Sequence, residues 1–220
     1  MFKIRRESQM NKNKPLPEHT ELDYYECYAK IALESLFPEQ FDLDIKDKPD
    51  LQDSIKKIGV EVTLGRNPKQ QEIESLYTKL KYNKESSPEK LKRQIEKCGG
   101  KLNGGILSGI SERDDFGYAV QAFKRKVDKI NKGEYLVMRS YDLFIFDDCL
   151  DMICDQSIIK SVSSQMQKYQ KNKMVQYQYV YICTPSILWH LSLQTGERKG
   201  YDISKQQFGW AMKAREMVEE

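Results

Sequence analysis

Between residues 143 and 183 the chain carries a strand–helix–strand pattern that leaves few folds open. Leu143-Phe-Ile-Phe146 and Tyr177–Cys183 are short runs of apolar, aromatic and β-branched residues, and residues 157–170 between them have helical spacing. Runs of this length suit strands buried on both faces. A helix joining two such strands is a crossover, which lays them parallel in one sheet. A third run, Ile-Gly-Val-Glu-Val-Thr-Leu at Ile58–Leu64, has the same β-branched character and is broken by Gly65, Asn67 and Pro68. The expected class is α/β, a central mixed sheet flanked by helices.

The remaining pattern fits one domain with embellishments, in line with 220 residues and 25.8 kDa. Residues 21–37 place Leu22, Glu26, Ala29, Leu33 and Leu36 on one helical stripe that ends at Pro38. Glu26 on that stripe requires a partner, because an unpaired buried carboxylate is costly. Residues 41–45 alternate as a half-exposed strand, and residues 48–52 read as a polar turn. Helices are expected over 70–82, 88–98 and 116–131, the last marked by Phe116, Val120, Phe123, Val127 and Ile130, with a stop at Gly133. The glycine-rich stretch 99–109 predicts a loop or hairpin. It has the G-x4-G spacing at Gly99 and Gly104, but Gly105 follows where a phosphate loop needs lysine. Residues 187–193 and 200–203 suggest a hairpin about 194–197, and Ser204 is the expected cap of a last helix to about 218. The chain thus divides into a flexible basic arm (1–20), an α/β domain (21–203, with 84–115 as an insertion) and a C-terminal helix (204–220).

Composition narrows the chemistry. No run approaches the ~20 apolar residues of a membrane helix, and the first ten residues are charged rather than signal-like, so a cytoplasmic chain with no membrane partner is expected. Five cysteines form an odd count without CxxC spacing, which argues against a disulfide framework or a zinc site. Two histidines supply neither a multi-histidine metal site nor most Ser/His designs, and His190, within an apparent strand, reads as structural. Net charge is only +3, but unevenly spread. Residues 18–53 hold eleven acids against three lysines, while 1–14, 79–101 and 121–139 are basic. Solvated helix faces would produce this pattern. So would a protein that gathers acids around a cation and flanks them with bases for a polyanion.

Three carboxylates carry the second reading: Glu26, Asp50 after a proline, and Glu61 in the middle of Ile58–Leu64. If the segments bearing Asp50 and Glu61 pair as a hairpin, both side chains point to one side. Oxygens converging there suit Mg²⁺, or Mn²⁺ in its place, which takes one or two carboxylates plus substrate phosphate. The plainer reading puts Glu61 on the solvent face of an edge strand.

Pro49-Asp50 followed by Glu61-Val62-Thr63, with the Glu26 helix before and a helix and two strands after, resembles the PD-(D/E)XK nuclease superfamily over roughly residues 21–183. The resemblance implies a restriction-endonuclease-like core and a metal-dependent endonuclease acting on DNA, of the kind found in restriction, mobile-element or phage-conflict systems. It also implies a metal site at Glu26, Asp50 and Glu61, with Asp50, Glu61 and the Thr63 position forming the catalytic motif. A homodimer stays open, since nuclease dimers make staggered cuts geometrically natural. The chain departs from the pattern at Thr63, where the superfamily usually has lysine; a hydroxyl has neither the charge nor the reach of an ammonium. Either a lysine arrives from elsewhere, with Lys124 and Lys126 on the 116–131 helix the first candidates and Lys129 and Gln121 further ones, or the fold serves as an inactive module that binds nucleic acid or protein.

Overall fold

Ile58–Leu64 is β3, and the rest of the main sheet is ordered around it. The computed structural model describes residue 16 and residues 20–82, 87–104, 106–108, 116–133, 135–148 and 156–219. Among these, one mixed sheet runs β1 (Asp44–Ile45), β2 (Leu51–Asp53), β3, β6 (Ser140–Phe146), β7 (Tyr177–Cys183), β8 (Ile187–Ser192), β9 (Arg198–Asp202). β3, β6 and β7 are parallel; every other pairing in this sheet is antiparallel. The parallel centre follows from helical connections: α4 (Gly117–Ile130) precedes β6, and α5 (Gln156–Gln170) joins β6 to β7.

Both faces of the sheet are covered. Leu143 and Ile145 of β6, with Val180 and Ile182 of β7, join Val120, Phe123, Val127, Ile159, Val162 and Met166 of α4 and α5 in one buried cluster. On the opposite face lie α1 (Tyr24–Leu36) and α6 (Gln207–Glu219), which pack on each other through Tyr28 and Trp210. Tyr25 and Tyr28 of α1 meet Phe146 edge-on at 5.0 and 5.4 Å between ring centres. Asp23 starts α1 by accepting the backbone N–H groups of Tyr25 and Glu26, two of the donors a helix start leaves unpaired.

The described residues fall into two compact units, one within residues 69–110 and the other within 19–68 and 111–220. The first contains α2 (Pro68–Tyr82, from Lys69 on), α3 (Pro88–Lys97) and a hairpin of β4 (Lys101–Asn103) with β5 (Ile106–Ser108), about buried Ile73, Leu91 and Ile95. Everything discussed below belongs to the second.

Three expectations need correction. Leu51 and Gln52, expected in a polar turn over 48–52, begin β2 instead, because ladder bonds to β3 outweigh the polar character of Gln52. Ser204 does not cap α6. Its hydroxyl donates to Asp202 Oδ1 (2.6 Å), tightening the turn after β9, and the helix begins at Gln207. β6 begins at Ser140 rather than 143, since Arg139 and Ser140 donate backbone bonds to the Lys57 carbonyl at the start of β3. The basic arm lies outside the described residues apart from Leu16 and Thr20, and so do Cys149 and Cys154. Cys27, Cys98 and Cys183 are free thiols. Among the described residues no helix is long and apolar enough to cross a membrane.

Candidate functional site

Two glycines decide how closely the surroundings approach Glu61. A Cβ on Gly59 would stand 2.4 Å from Pro49 Cγ, so only glycine lets the Pro49 turn lie against β3. A Cβ on Gly65 would stand 2.7 Å from both Ala119 Cα and Ile145 Cγ2, so the start of α4 also approaches β3 because that side chain is missing. One glycine brings in the turn with Asp50, and the other brings in the helix with the lysines.

The ladder between β2 and β3 pairs Leu51 with Val60, and its continuation sets Asp50 opposite Glu61. Asp50 Oδ2 accepts the Val62 backbone N–H at 2.7 Å, which folds its carboxylate over β3. Glu61 is fully buried. Its neighbours on the same strand face include half-buried Thr63, two residues on, as a period of two requires.

Lys126 lies between the two carboxylates. It occupies the helix face shared with buried Ala119, Ala122, Phe123 and Ile130, at three- and four-residue steps. Its Nζ donates to Glu61 Oε2 at 2.5 Å and reaches Asp50 Oδ2 at 3.4 Å, with the lysine side chain only 15% exposed. Both carboxylates therefore converge on one point, the ammonium nitrogen. Glu61 Oε2 also accepts the Tyr135 hydroxyl at 3.0 Å, while Glu61 Oε1 is buried without a hydrogen-bond partner. Leu136 N–H donates to the Lys48 carbonyl, fastening the Tyr135 loop to the turn that carries Asp50. Burial, and then the charge of Glu61, raise the Tyr135 hydroxyl well above its usual range, so it remains a donor.

Glu26 belongs to the same electrostatic group. Burial pushes its carboxyl up to about 7, reinforced by Asp50, Asp23 and Glu61 and opposed by Lys126. Among the described residues no three His, Cys, Asp or Glu side chains converge as a ready-made metal-binding group. The pair Asp50–Glu61 is closed by Lys126, with Glu26 close enough to feel both.

The other sequence candidates do not contact the two carboxylates. Lys124 sits over the Tyr169 ring, its Nζ 5.4 Å from the centroid, and Lys129 sits over Tyr135 at 5.7 Å. Gln121 is exposed. His190 stacks on Tyr181 with ring planes 4° apart and centroids 5.0 Å apart.

No known protein family, curated protein or solved structure matches this chain.

Nothing in the sequence singles out Tyr135. A tyrosine beyond Gly133 carries no periodic signal, and its role appears only when the loop is tied to the Lys48 carbonyl.

Proposed function

We propose that this chain is a metal-dependent endonuclease that hydrolyses phosphodiester bonds in DNA. The observation that carries the reading is Lys126 Nζ in contact with both Asp50 and Glu61. Thr63 stands where the resembling nucleases usually have lysine, and α4 supplies an ammonium to the same strand face from another part of the chain. The donor set suits a hard divalent cation: Asp50 in the turn before β2, Glu61 on β3, and a Glu61 oxygen without a hydrogen-bond partner among the described residues. Asp50 and Glu61 would hold Mg²⁺, with Glu26 as a third carboxylate. When bound, the ion supplies charge neutralisation at the scissile phosphate and acidifies water.

The chain's own residues do the rest. The Val62 N–H and the Tyr135 hydroxyl hold the Asp50 and Glu61 oxygens in place, so orientation is fixed before substrate arrives. Lys126 faces the negative charge that grows on the phosphate as water attacks, in a site from which much bulk solvent is excluded. Burial pushes the Glu26 carboxyl up to about 7, so a cation held there would have to displace its proton and would bind more weakly as pH falls. Arg125, Lys129, Lys132 and Arg139, on α4 and the segment after it, are exposed, and Lys129 lies over Tyr135; they would meet backbone phosphates. Binding should therefore weaken steeply as salt rises.

The test is cleavage of plasmid, linear and single-stranded DNA with Mg²⁺ or Mn²⁺ by the wild type and Asp50→Ala. Metal-dependent cleavage that the substitution abolishes is expected; no cleavage with either metal, or undiminished cleavage by the variant, removes the proposal. Thr63 favours one other reading, an inactive nuclease-like module that binds nucleic acid or protein. Calorimetric titration separates the two, since an inactive module shows no Mn²⁺ binding that depends on Asp50.

A further inference from the structure

A second site lies outside the carboxyl ends of β6 and β7, the end of a parallel sheet where ligands of α/β proteins commonly bind. It is a cleft of about 470 Å³, within the range of small-molecule pockets. Five aromatic rings line it: Tyr24, Tyr25, Tyr28, Phe146 and Phe208. Tyr28 is 7% exposed and meets Phe146 edge-on, and Tyr25 meets Phe146 from the α1 side. Phe208, in the first turn of α6, is 64% exposed at the same cleft. That is unusual exposure for a phenylalanine on a helix whose Trp210, Ala214 and Val218 are buried. Its charged groups are buried Asp147, exposed Asp148 and Arg66, whose Nε donates to Asp148 Oδ2 at 2.9 Å.

We propose that this cleft receives one unpaired nucleobase of the strand bound at the Asp50–Glu61–Lys126 site, a base that carries an exocyclic amino group. The inference rests on the nucleic-acid reading above and adds to it the form in which substrate is held. An aromatic floor with an exposed phenyl ring at its side offers stacking to any base. Carboxylates accept hydrogen bonds from amino groups such as cytosine N4, and thymine has no amino group to give. Two carboxylates against one guanidinium, itself held by Asp148, make the cleft a poorer place for phosphate than for a base. α1 links it to the carboxylate site: Tyr25 lines the cleft, and Glu26 is the next residue on the same helix.

The experiment is fluorescence anisotropy with a labelled single-stranded cytosine-containing octanucleotide in EDTA, on the full chain, with an abasic site moved through each position. One position should respond, losing roughly tenfold in affinity in the wild type. In Phe208→Ala that loss should already be present and the abasic scan should be flat; Phe208→Trp should restore the response. Thymine at the responsive position should bind several-fold more weakly than cytosine. A flat scan in the wild type, unchanged binding by Phe208→Ala, equal affinity for thymine, or no oligonucleotide binding at all overturns the proposal. Because EDTA prevents chemistry, the result is independent of cleavage. Plasmid cleavage with a flat scan overturns the cleft and leaves the endonuclease reading standing, whereas a responsive base without cleavage does the reverse.

Discussion

Glu61 and Asp142 are buried carboxylates on adjacent parallel strands, 0% and 1% exposed, and the protein treats them in opposite ways. Glu61 meets an ammonium and a phenol on the face covered by α4. Asp142, one position off the Glu61 register and so on the other face of the sheet, has a single hydrogen bond, from the Tyr179 backbone N–H at 3.2 Å. Burial drives the Asp142 carboxyl up to about 8, with only that N–H pulling it down. Two carboxylates of similar burial thus differ in what surrounds them. The protein keeps Asp142 as a neutral acid where the β6–β7 ladder shifts register, and spends a lysine, a tyrosine and two glycine approaches on Glu61. An ammonium and a phenol gathered on a buried carboxylate are the observations that favour the proposed site at Glu61 over a purely structural role.

The comparison can be broken most directly by removing the cation. Lys126→Met leaves two carboxylates facing each other with one fully buried, and should cost about 3–5 kcal/mol in chemical denaturation. A loss below about 1 kcal/mol would mean that Glu61 does not depend on Lys126. Asp142→Asn probes the other carboxylate through pH. The folded state holds this proton up to about pH 8 while the unfolded chain releases it near 3.8, so wild-type stability falls as pH rises through that window and levels off above it. Asparagine keeps an oxygen for the Tyr179 N–H but does not titrate. The variant should therefore gain on wild type steadily from pH 4 to 8, by a few kcal/mol in denaturation midpoints followed across pH. Parallel pH profiles for the two proteins would show that Asp142 is ionised in the fold. Tyr135→Phe removes one donor to Glu61 and should cost about 1.5 kcal/mol by thermal melting, the range for a bond to a charged group. Thr63→Val should be the mildest, within about 1 kcal/mol for a half-buried side chain, and without effect on DNA cleavage if Lys126 serves the phosphate as proposed.

How much of this could be read from the sequence depends on the range of the interaction. β3, β7 and the six helices are near their expected positions because periodicity is a local property of the chain. The register that sets Asp50 opposite Glu61 was foreseeable only as a condition, that the two segments pair. β2 itself was hidden, because Gln52 and Asp53 carry no strand pattern and the ladder to β3 alone makes them one. The ranking of lysines shows the same limit. Helical spacing placed Lys124 nearer the apolar stripe, but the rest of the buried face runs through Ala119 and Ala122, alanines that weigh little in a periodic pattern. Their small size admits the close approach at Gly65 and turns Lys126 toward β3. Tyr135, set by a loop bonded to another loop, had no local signal at all.

The central claim is that Lys126 supplies the ammonium for which Thr63 provides no substitute. It is tested most directly by the rate of Mg²⁺-dependent DNA cleavage in Lys126→Met beside Lys124→Met, with each variant confirmed folded by its melting curve. The account predicts a fall of roughly a hundredfold or more for Lys126→Met and little change for Lys124→Met, whose side chain lies over Tyr169. Equal rates in the two variants, or a folded Lys126→Met that cleaves like wild type, would contradict it.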